Sequence, residues 1–230
     1  MTMTLLRKAA FAALAVTCLS AAGAVAEEVP KPTDILFDRP HIASVAPGTS
    51  LVYKFERKPS DPKTMGEAFS DDITVTVESD GKPGKKNVRV QLYTGDRARE
   101  PQEITNMDGN PMLIVFLDDA VSHYRLIAGG DPAYLKGMFK LGLAHDAKIA
   151  PVKIDYKGQS VDGYRVSVTP YINDANKARM KGFEGSTFTM VLSDKIPGYF
   201  AKMVSDYSNT DKNAATLLET MTLEGVGDVK

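Results

Sequence analysis

Three histidines, one cysteine and a few adjacent carboxylates are the residues of this chain with reactive chemistry to offer. Asp119 and His123 stand four apart in a stretch that reads as helix, so their side chains share a face. Such a pair can supply two metal ligands; a solvated or rim-located ion pair is the simpler account. His41 and His145 add no H-E-x-x-H or H-x-H spacing. No G-x-S-x-G elbow occurs, and Ser50, Ser160 and Ser186 fall in turns or strand starts. Asp71-Asp72 and Asp118-Asp119 are neighbours whose side chains diverge in a strand or a helix, and both read as surface. Asp108-Gly109-Asn110 faintly echoes a calcium loop but lacks the spaced acids and the closing glutamate. The residues therefore predict no catalytic group, no metal site and no cofactor. The expected protein is a non-enzymatic binding module, with a hydrolase as the remote alternative.

The elements that would position these residues begin after a targeting segment. Arg7 and Lys8 precede an apolar run, Ala9 to Leu19, and Ala24-Val25-Ala26 matches a small-residue cleavage site. Export to the periplasm with cleavage after Ala26 is expected, leaving no membrane span. Cys18, the one cysteine, lies in that segment, so the exported chain would have no disulfide and no thiolate. Removing Arg7 and Lys8 leaves 26 basic against 29 acidic residues, near neutrality, which argues against nucleic acid as a partner.

Residues 27–50 read as an extended, proline-punctuated lead-in whose Ile35, Leu36 and Phe37 can dock on the body; 51–230 read as one domain. Alternation then marks strands: Leu51, Tyr53, Phe55; Ile73, Val75, Val77; Val88, Val90, Leu92. One apolar face per strand indicates an antiparallel sheet covered on one side. A loop over 95–109 leads to two helices, each opened by a capping residue and proline, Asn110-Pro111 and Asp131-Pro132. The first is apolar nearly all round from Met112 to Leu117 and stops at Gly129-Gly130. Strands resume with Val152, Ile154, Tyr156; Tyr164, Val166, Val168; and Phe188, Met190, Leu192. The segment 199–207 fits strand or helix, and Leu217, Met221 and Leu223 form a last strand interrupted by Glu219.

The expected fold is α+β: a curved, half-barrel-like antiparallel sheet of about seven to nine strands around two central helices inserted after the third strand. In this order of elements the chain resembles, in architecture alone, the LolA/LolB-type lipoprotein carriers of Gram-negative bacteria. The stretch from Asn110-Pro111-Met112-Leu113 to Gly129-Gly130-Asp131-Pro132 is also similar to uncharacterised exported proteins of alphaproteobacteria. The carrier resemblance implies a hollow, apolar sheet interior for lipid or lipoprotein acyl chains, with the helices as a lid. Otherwise the same residues pack a core, and the partner is an unknown envelope protein. Met112, Val115, Phe116, Leu135, Met138 and Phe139 are the residues expected to line such a ligand surface or the core.

Overall fold

The computed structural model describes residues 29–228; the signal-peptide reading and Cys18 lie outside the described residues. Nine strands form one open antiparallel sheet: β1 Thr49–Pro59, β2 Phe69–Asp80, β3 Lys86–Leu92, β4 Gln102–Met107, β5 Lys148–Tyr156, β6 Gln159–Val168, β7 Thr187–Leu192, β8 Phe200–Tyr207 and β9 Leu217–Asp228. Their order is β4-β3-β2-β1-β9-β8-β7-β6-β5, so the last strand joins the first and unites two meanders. Register shifts between Val52 and Tyr53, Val77 and Ser79, Lys86 and Val88, and Val191 and Leu192 interrupt the ladder, and such irregularities increase local twist.

Among the described residues four α-helices accompany the sheet: α1 Pro32–Phe37, α2 Pro62–Met65, α3 Met112–Ala128 and α4 Pro132–His145. The long pair follows the fourth strand and not the third, because the loop expected over 95–109 contains β4. This edge strand offers little apolar alternation beyond Ile104, and Asn106 has a positive φ of 57°. The lead-in likewise holds a helix, α1, where extended coil is expected; Pro32 occupies a first-turn position that needs no donor. Ile35 and Leu36 dock in the core as expected, whereas Phe37 stays outside. The ambiguous segment 199–207 becomes a central strand, β8, with Phe200, Met203 and Tyr207 fully buried.

The core lies between the concave sheet face and α3 with α4. Leu51, Tyr53, Phe55, Ile73, Val75 and Val77 from one meander meet Val166, Phe188, Met190 and Met203 from the other. Met112, Phe116, Ala120 and Tyr124 of α3 fill the trough between them. These sheet residues carry essentially no accessible surface, so no water-sized void adjoins them. The helices thus occupy the space that the carrier architecture leaves hollow. Gly142 of α4 lets the helix approach β6, since an added Cβ would crowd Pro170 and Val168; Gly137 faces open space.

Asn110 is the junction of sheet, lead-in and helix. Its Oδ1 accepts from the Met112 amide at 3.0 Å, the capping role its sequence position predicts. Its Nδ2 donates to Tyr53 Oη at 2.9 Å and to the Gly198 carbonyl at 2.8 Å. Gly198, at φ 73°, is glycine because a Cβ would strike Leu51 and the Asn110 amide itself. Asn110→Ala removes the cap and strands three buried polar groups; it is expected to cost about 2–3 kcal/mol in urea unfolding.

Candidate functional site

The outer side of the helical layer carries an apolar groove of about 400 Å³ between α1, α3 and α4. On α3, Ile114, Leu117, Asp118 and Val121 recur at i, i+3, i+4 and i+7 and therefore form one stripe. On α4, Lys136, Phe139, Lys140 and Leu143 recur in the same way. Thr33 and Phe37 of α1 close the third side. Val121, Phe139 and Leu143 make a buried floor, while Ile114 and Phe37 are about half exposed, 50% and 49%. A chain apolar on the sheet-facing side of α3 and again on its outer side explains the all-round hydrophobicity of Met112 to Leu117. The rim is charged: Lys136 pairs with Asp118 at 2.7 Å. Lys140 is exposed and has no ion-pair partner among the described residues.

The six residues singled out in the sequence divide between faces. Met112, Phe116 and Leu135 are core. Phe139 is core on one edge and groove floor on the other. Val115 and Met138 are half-buried against the core and do not line the groove. Ile114, Leu117, Leu143 and Phe37 line it instead. The available signal was a surplus of apolar residues on a helix that a one-sided sheet can cover only in part.

No protein-family model matches the chain, and the search of curated proteins gives no match. A solved structure of a DUF1329 family protein from Desulfovibrio piger aligns over 86% of this chain and 94% of that one. Its identity is 8% and its TM-score 0.27.

A polar cluster sits inside the fold. Glu219 of β9, 4% exposed, stands directly opposite Arg57 of β1 in the strand register. The Arg57 guanidinium donates to Glu219 through Nη1 and to the Met65 carbonyl through Nη2 at 2.6 Å. The other Glu219 oxygen lies 2.7 Å from His123 Nδ1, tying α3 to the sheet. Asp119, on the same helix face as His123, has its carboxyl pushed above the usual range by burial. So Asp119 and His123 share a face as their spacing predicts, and the direct hydrogen-bond partner of His123 is Glu219. No hydroxyl or thiol hydrogen-bonds to His123 among the described residues, and no cluster of three potential metal ligands occurs among them. The interruption of an apolar strand by Glu219 was the signal for this cluster; the role of Arg57 depends on strand register.

A second hollow, of about 620 Å³, lies on the other side of the lead-in, beside Val29, Ile35, Arg39, Ser193 and Tyr199. No helix among the described residues is long and apolar enough to cross a membrane.

Proposed function

We propose that this protein is a non-enzymatic binding protein of the cell envelope that holds a single-chain anionic amphiphile, such as a fatty acid, in the outer helical groove. The observation that carries this reading is the groove itself: an apolar floor and walls from three helices, with Lys140 at the rim lacking an ion-pair partner among the described residues. Its volume falls within the range of small-molecule sites, and an apolar trough with one charged anchor suits a tail and a head group. The ligand surface is then on the outside of α3 and α4, since their inner side is filled by the core.

A fluorescent long-chain fatty acid is expected to bind with saturation and to be displaced by unlabelled fatty acid. Ile114→Asp places a carboxylate in the wall and is expected to weaken binding at least about tenfold. Its melting temperature should change little, because the side chain is half exposed. Lys140→Glu is expected to weaken binding by about two- to fivefold, an effect that added salt reduces. No saturable binding, or equal binding by Ile114→Asp, contradicts the reading.

A further inference from the structure

The groove has one wall of a different kind from the others. α3 and α4 are long and packed on the sheet, whereas α1 is six residues long, far too short to persist alone. It stays in place by docking Ile35 and Leu36, and the lead-in behind it is tied to the body by the His41 ring and by the Ile42 amide, which donates to the Asp108 carbonyl at 3.3 Å. Hollows flank the lead-in on both sides.

His41 is 1% exposed, and its ring is fully committed. Nε2 lies 2.8 Å from the Ile35 carbonyl, an acceptor only, so the proton sits on Nε2 and is donated there. Nδ1 is then a bare acceptor, and the Asn110 amide donates to it at 3.2 Å. The neutral ring thus links α1 to the residue that caps α3 and anchors to β1. Edges of Tyr199 and Phe200 pack on it, with ring centroids 5.0 and 5.1 Å away. The charged groups around it are Asp108, which pairs with Lys85, and Asp38 and Arg39 on its own segment; Tyr53 lies beyond Asn110.

We propose that His41 is a latch: protonation sets a second ring N–H against the Asn110 N–H and releases α1 from the wall, so that acid opens the groove. The consequence for ligand rests on the function proposed above; the release of α1 does not. Burial drives the imidazole below its ordinary value, and the Ile35 bond and the Asp108 charge only partly oppose this. A ring less basic in the latched state than in the released state leaves the latch at full strength above the free-imidazole value, about 6.5. Strength is lost as pH falls from there toward the latched-state value, and opening rises by up to about tenfold per pH unit in that window.

Hydrogen exchange of the whole protein between pH 7.5 and 5.0, corrected for intrinsic rates, tests this. Protection over residues 31–42 is expected to fall by up to about tenfold per pH unit below about 6.5, while β8 keeps its protection. His41→Gln, which can donate to Ile35 but cannot titrate, is expected to flatten that dependence. Should His41→Gln fail to fold, NMR of the wild type decides: the His41 ring and the α1 amides must titrate with one midpoint. Unchanged α1 protection at pH 5.0, an unaltered slope in His41→Gln, or separate midpoints overturns the latch. Fatty-acid affinity is expected to fall with the same midpoint; α1 release without any change in affinity overturns the coupling to the groove. Failure to bind fatty acid at any pH contradicts the proposed function, while α1 exchange still decides the latch.

Discussion

Replacing Glu219 by alanine is expected to lower unfolding free energy by about 3–5 kcal/mol, although the residue it removes is a carboxylate in an apolar strand face. Leu217 and Met221 flank it on the same face, both buried. Removing the carboxylate leaves the Arg57 guanidinium, whose side chain is 14% exposed, with one carbonyl as partner. It also deletes the acceptor of His123 and so loosens α3 from β9. The cost is mostly that of an uncompensated buried charge and not a measure of what the pair contributes. The double replacement Arg57→Met with Glu219→Leu should therefore recover much of the loss. Urea unfolding of the two single variants and the double variant checks this. A double variant as unstable as the sum of the singles would mean that the cluster acts by some means other than charge pairing.

Phe116→Ala is expected to cost about 3–5 kcal/mol, because Phe116 is 2% exposed where α3 fills the sheet. The gain in helix propensity from alanine is a few tenths of a kcal/mol and does not offset it. Ile114, two residues earlier on the same helix, is half exposed, and Ile114→Ala should cost less than about 1 kcal/mol. The contrast between neighbours matters more than either value. It distinguishes a helix with a core face and a groove face from one buried all round, as its sequence reads. Thermal and urea unfolding of both variants measures it, and equal costs would contradict the two-faced arrangement.

The elements that could be read in advance are those whose signals are local. Asn110 and Asp131 cap α3 and α4 from the positions their proline neighbours mark, with Asp131 accepting from the Tyr134 amide at 2.9 Å. Val75 and Val77, or Val166 and Val168, point inward because the period of a strand is two. Short elements escaped: α1 has six residues and β4 six, too few to display a period. The candidate site escaped for a different reason. The sequence shows that Met112 to Leu117 are apolar, but which of them face the sheet follows from where β1, β8 and β9 lie, and the β1–β9 pairing joins opposite ends of the chain. His41 was visible only as a histidine in a lead-in. Its significance depends on two long-range partners, Asn110 and the ring of Tyr199, and on the burial that they produce.

Methyl NMR of the protein titrated with a long-chain fatty acid tests the central claim most directly, because it reports where the ligand sits as well as whether it binds. Saturable shifts are expected at Ile114, Leu117, Val121 and Leu143, which line the groove, with Val166, Met190 and Met203 inside the sheet unmoved. Shifts concentrated on the sheet-interior methyls, or none at any concentration, would contradict the account.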